Sequence, residues 1–147
     1  MTAERLAYAL GAAEGERLRF SDAEFLVRAD AATTGGAFSI VEELEPLDTP
    51  RHVHENEDEL FYVLEGEHVF EVGDESFQVG PGSVVFAPRR IPHAHRRVVP
   101  RTGRFLTMVS PAGFEGFFRE LSDAERNGTI GPDAYARASA RYGITWL

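Results

Sequence analysis

The chain contains no cysteine. Disulfides, a thiol nucleophile and thiolate metal sites are thereby excluded. Long apolar runs are missing too, so no segment reads as a bilayer span, and no basic amphipathic stretch offers itself to a membrane surface. Positive charge is scarce: 15 Lys and Arg against 24 Asp and Glu leave a net charge of −9. Nucleic acid is therefore not an expected partner, because phosphate binding needs a basic face. The opening stretch, MTAERLAYALGAAEGERL, carries Glu4 and Arg5 and lacks the compact apolar centre of a signal peptide. These absences together give a cytoplasmic reading. Nor is there a G-x-S-x-G elbow or a G-x-x-x-x-G-K-[ST] segment. Gly73-Asp74 and Gly80-Pro81-Gly82 read as turns.

A length of 147 residues suits one domain, 1–147, with a real apolar core. From about 17 to 110 the sequence reads as short strands broken by turns: RLRF, EFLVRA, AFSIVEEL, ELFYVLE, HVFEV, SFQV, SVVFAP, AHRRVV and RFLTMVS. Gly73-Asp74, between two apolar runs, signals a hairpin. Turn signals about every ten residues point to a sandwich or barrel, an all-β class. The character changes in the segment 111–147. Phe114, Phe117, Phe118 and Leu121 recur at helical spacing and share one face. That helix is either a cover over the barrel mouth or a plain packing element. A second helix starts at Pro132, where a first-turn proline is tolerated, and stops at Gly143. The first fifteen residues read as a loose arm or as a segment that pairs with a neighbouring subunit.

All five histidines lie between His52 and His95, four of them in two H-x-H pairs, His52/His54 and His93/His95. Residues two apart in a strand share a face, so His52 and His54 point the same way if their segment is extended. Glu59, Phe61 and Val63 share a face of the next strand. If that face is the interior, Glu59 is a carboxylate aimed into an apolar barrel, where a lone charge is costly. A divalent cation shared with imidazoles removes the cost, and His93 supplies a third ring. The candidate metal site is His52, His54, Glu59 and His93, with one divalent transition ion per chain. Imidazole with carboxylate suits Fe, Ni, Co, Mn, Cu or Zn, whereas Mg and Ca prefer oxygen. Glu55, Glu57 and Asp58 read as a solvated loop. His68 reads as structural or surface, and His95 as either a pocket residue or a satisfied core histidine.

The stretch HVHENEDELFYVLEG resembles the first cupin motif through His52, His54, Glu59 and Gly66. GSVVFAPRRIPHAHRR resembles the second through Gly82, Pro88 and His93. Three positions depart from the pattern: Pro46 and Arg90 stand where glycines are usual, and Arg97 replaces an asparagine. An arginine at position 90 is strained if the turn needs a positive φ, and it brings a guanidinium near the pocket rim. The resemblance implies a cupin, a double-stranded β-helix or jelly-roll barrel, here with short C-terminal helices, one metal bound by three His and one Glu, and a homodimer. The wider pattern resembles actinobacterial cupins grouped with quercetin 2,3-dioxygenases. That likeness implies a metal-dependent dioxygenase of a flavonol-like or other enolisable aromatic substrate, using O2, with Glu59 as the proton-accepting catalytic residue. Two alternatives stand beside it: a polyketide cyclase or isomerase without oxygen chemistry, and a non-catalytic binder of a small molecule. Phe38, Phe61, Phe86, His95, Phe105, Met108 and Phe114 are the candidate pocket residues for an aromatic or polyketide-like substrate.

Overall fold

The computed structural model describes residues 5–147, so residues 1–4 of the expected N-terminal arm lie outside the described residues. In chain order the elements are β1 (Glu16–Phe20), β2 (Ala23–Ala29), α1 (Ala31–Thr34), β3 (Ser39–Glu45), β4 (Thr49–His54), β5 (Asp58–Glu65), β6 (His68–Val72), β7 (Glu75–Val79), β8 (Val84–Ala87), β9 (His93–Arg97), β10 (Arg104–Ser110), α2 (Glu115–Arg126), α3 (Pro132–Tyr142) and β11 (Ile144–Trp146). The strands form two antiparallel sheets. One runs β1-β2-β3-β10-β5-β8 and the other β11-β4-β9-β6-β7. Both expected C-terminal helices form, and the 73–74 hairpin joins β6 to β7.

Period-two alternation decides what the larger sheet buries. Ser39, Val41 and Glu43 of β3 face inward, as do Phe105, Thr107 and Val109 of β10 and Glu59, Phe61 and Val63 of β5. The registers align them in rows across the sheet: Ser39–Val109–Glu59, Val41–Thr107–Phe61 and Glu43–Phe105–Val63. Phe61, Val63, Phe70, Val85 and Phe105 fill one end of the barrel. At the other end α2 packs its expected face, Phe114, Phe117, Phe118 and Leu121, onto Phe20 and Phe25. The Phe25 and Phe118 rings lie 4.5 Å apart. Each buried phenylalanine contributes roughly 1.5–3 kcal/mol, so α2 is a packed wall and not a free flap.

Two polar devices fix this wall. The buried Glu115 carboxylate accepts hydrogen bonds from the backbone N–H of Ala31 (2.7 Å) and of Gly113 (2.8 Å), tying the start of α2 to α1. Gly143 ends α3 at φ 69°, a left-handed turn that glycine adopts without strain. A Cβ there would meet the Asn56 side chain at 2.5 Å. The turn returns the chain to β11, which pairs with β4 in the register Ile144↔His54 and Trp146↔His52. The segment after 110 is thus not purely helical, since it ends by adding a strand to the histidine-bearing sheet. No helix among the described residues is long and apolar enough to cross a membrane.

Candidate metal centre

Four of the sequence-derived residues meet inside the barrel. His52 and His54 come from β4, and His93 lies directly opposite His52 on β9. Glu59 reaches them from β5 in the facing sheet. One donor atom from each of the four falls within 4.8 Å of all the others, and every one of the side chains is buried. The His52 and His93 ring centroids are 4.3 Å apart, those of His54 and His93 5.3 Å.

Each ring turns a nitrogen toward a common point. His52 Nδ1 lies 2.8 Å from the Pro50 carbonyl, which can only accept. That nitrogen therefore carries the proton and donates it, leaving Nε2 bare. Glu59 Oε2 lies 2.8 Å from His93 Nε2 and 3.3 Å from His54 Nε2. It is nonetheless buried with no aligned hydrogen bond. An orphaned carboxylate oxygen among three imidazoles, in a pocket of aromatic rings, is the donor set of a transition-ion site. His52, His54, Glu59 and His93 fit such an ion.

Electrostatics agree. Burial alone would raise the Glu59 carboxyl, but the charges of His54 and His93 and the close approach of His93 bring it down to about 2. Burial holds His52 down to about 4, with the neighbouring rings of His93 and His54 acting the same way. For His54, burial works downward but is outweighed by Glu59 and Glu57, and the net shift is upward. Glu57 is a correction to the sequence reading. It is buried, not solvated, and its Oε2 sits 3.4 Å from His54 Nδ1, behind the ring. Glu55 is exposed, and Asp58 pairs with Arg89 at the surface. Nothing in the charge run ENED distinguishes Glu57 from its neighbours, because the loop's return path sets its direction.

The cavity around the cluster measures about 70 Å³. Phe61, His95, Phe105 and Phe114 line it, and Phe114 stands edge-on to His54 at 4.5 Å. Phe38, Phe86 and Met108 do not. They are exposed, with Phe86 and Met108 on the outer face of the six-stranded sheet, where strand alternation places them. Unanticipated lining comes from Phe117, Phe118, Tyr135, Trp146 and Glu43. Trp146 reaches His52, centroids 4.9 Å apart, only because β11 pairs with β4. His95 and His68 are buried side by side: His95 Nδ1 donates to the Leu47 carbonyl at 2.9 Å, His68 Nε2 donates to the Glu65 carbonyl at 2.8 Å, and their remaining nitrogens, His95 Nε2 and His68 Nδ1, stand 2.9 Å apart. His68 is therefore structural and wholly enclosed. The turn does need a positive φ at Arg90, 66°, so the condition for strain at this position is met. Its guanidinium pairs with Glu55 and lies outside the cavity lining.

Residues 40–109 match the cupin domain family. A Klebsiella pneumoniae protein with a double-stranded β-helix domain superposes with a TM-score of 0.58 at 19% identity, covering 77% of this chain and 93% of its own. The fold is that of a cupin. Two further structures resemble this chain. The polyketide cyclase RemF from Streptomyces resistomycificus is 25% identical, with a TM-score of 0.58, over 71% of this chain and 80% of that one. The Streptomyces nucleoside dehydratase Pac13 is 16% identical, with a TM-score of 0.57, over 76% and 88%. Comparison with curated proteins gives no match. The neighbours are mostly enzymes, and what the likeness shows is a common architecture.

Proposed function

We propose that this cupin is a metal-dependent enzyme acting on a compact enolisable ring compound, with dioxygen as co-substrate. The observation that carries the reading is the buried three-imidazole, one-carboxylate cluster opening onto a small cavity walled by aromatic rings. Four protein donors leave room for a substrate oxygen on a five- or six-coordinate ion, unlike a closed structural site. A bound transition ion supplies Lewis acidity that acidifies a substrate hydroxyl, and a redox-active one also supplies reactivity toward dioxygen. Glu59 Oε2, unpaired and among the imidazoles, is positioned to accept that hydroxyl's proton. Phe61, Phe105, Phe114 and Trp146 orient the ring and exclude water. A cavity of about 70 Å³ is smaller than the roughly 150 Å³ that encloses benzene, so even a single ring displaces part of the wall and a compact substrate is favoured. A three-ring flavonol enters only if the wall formed by α2, α3 and β11 moves.

A redox-neutral cyclisation or isomerisation is the second reading, favoured by the 25% identity to the polyketide cyclase. Oxygen dependence separates the two. With the metal-loaded protein and a panel of enolisable phenols and hydroxypyranones, the oxygenase reading expects O2 uptake stoichiometric with product. In Glu59→Gln this uptake falls by about 10²–10⁴. Turnover undiminished in strictly anaerobic buffer sinks the oxygenase reading and leaves the redox-neutral one.

A further inference from the structure

A second carboxyl faces the same cavity. Glu43 sits on β3 at an inward position, only 9% exposed, four residues along from Ser39 and therefore two rows from Glu59 on the sheet. It is not one of the four clustered donors. The only hydrogen bond made by its side chain among the described residues is from Thr107, whose hydroxyl donates to Oε2 at 2.6 Å. Thr107 is itself buried in the row between Glu43 and Glu59. Burying a carboxyl among Phe25, Phe105 and Phe118 serves no packing purpose that leucine would not serve better. Burial pushes this carboxyl up to about 8, against the pull of the Thr107 bond and with help from the Glu59 charge. At neutral pH the group therefore carries its proton. With Oε2 engaged by Thr107, the acid has one O–H left to give.

We propose that Glu43, held by Thr107, is a further substrate-binding group: a hydrogen-bond donor to a carbonyl or hydroxyl oxygen on the end of a ring whose other end meets the histidine–carboxylate cluster. The substrate class narrows accordingly. It is a compact ring with a metal-seeking enol or phenol at one end and an uncharged oxygen acceptor at the other. A carboxylate at that second end would bury another negative charge in an aromatic enclosure that already holds the Glu59 carboxylate. This inference rests on the metal-centred reading above.

Three probes with one metal-seeking end test it: catechol, 3,4-dihydroxybenzaldehyde and 3,4-dihydroxybenzoate, titrated by calorimetry into the nickel-loaded protein at pH 7. The expected order is aldehyde tightest and benzoate weakest. The aldehyde's advantage over catechol is expected to shrink roughly five- to tenfold in Glu43→Leu and in Thr107→Val relative to the native protein, and to survive largely in Glu43→Gln, whose amide can donate. Taking the ratio of the two probes cancels their different intrinsic metal affinities. Nickel content, measured on every variant, is expected to stay at the native level. An aldehyde-to-catechol ratio identical in native protein and both loss variants overturns the role of Glu43 while leaving the metal-centred reading intact. If none of the three binds although nickel is retained, the metal-centred reading falls and this one with it. Should Glu43→Leu fail to fold, Thr107→Val and Glu43→Gln still decide.

Discussion

Saturating the metal-free protein with nickel, cobalt or zinc is expected to raise its melting temperature by about 10 °C. Without an ion, the barrel encloses a Glu59 oxygen that lacks an aligned hydrogen bond and three imidazoles whose free nitrogens crowd one point. An ion removes that cost only in the folded state, because β4, β5 and β9 assemble the donors from two sheets. At about 1,000 times the dissociation constant, such linkage stabilises by about 4 kcal/mol. For a domain of about 150 residues each kcal/mol moves the midpoint by about 2–4 °C. Magnesium and calcium, which want oxygen donors, are expected to shift it by less than about 2 °C. The double variant His52→Ala/His93→Ala should show no response to any of these ions. A thermal scan in each ion reads all of this, and an equal shift in the double variant would place the ion on the acidic surface instead.

The metal-free protein is expected to be most stable near pH 6.5 and to weaken on both sides. His52 and His95 are each held down to about 4 in the folded protein, mainly by burial, from an ordinary 6.5. Between those values the unfolded chain binds protons that the folded chain does not, so stability drops as pH falls. Glu43 opposes them. Raised by burial to about 8 from 4.5, it keeps a proton that the unfolded chain has released, so it costs stability as pH rises through that window. Two imidazoles against one carboxyl leave a net loss of about 1 kcal/mol from pH 6.5 to pH 5. Below 4.5 Glu43 drops out and Glu59, depressed to about 2, joins the imidazoles. The loss then reaches about 3 to 4 kcal/mol by pH 4, a large part of the stability of an ordinary domain. Above 6.5 the unfolded imidazoles give up their remaining protons, Glu43 outweighs them, and the net loss is about 1 kcal/mol by pH 8. His54, raised by its carboxylate neighbours, adds to that alkaline limb. Urea melts at pH 4, 5, 6.5 and 8 trace the curve, and Glu43→Gln should flatten its alkaline side. Stability rising steadily from pH 6.5 to 8 would contradict the buried, protonated Glu43.

The barrel and the metal cluster were legible because both rest on short-range periodicity. His52 and His54 two apart, Glu59 at an inward strand position and His93 at the start of another strand are alternation arguments, and the geometry brings them together. The pocket was harder for the same reason. Phe105 and Met108 lie three apart on one strand and cannot both face the cavity; only Phe105 does. Glu43 was hidden inside VEELE, which looks like a solvated acidic run until β3 pairs with β10 and fixes which carboxylates turn inward. Glu42, its neighbour, points the other way to Arg104. Trp146 carried no local signal at all. Three residues of β11 find β4 only because Gly143 turns the chain back. Positions set by one strand's alternation are readable from sequence, whereas positions set by long-range register are not.

Elemental analysis of the purified protein as isolated, beside His52→Ala/His93→Ala, tests the central claim most directly. The account expects close to one ion of Fe, Ni, Co, Mn, Cu or Zn per chain in the native protein and less than about a tenth of that in the double variant. A native protein that holds no transition ion and takes up none on reconstitution would contradict it, and the buried carboxylate and imidazoles would then need a different partner.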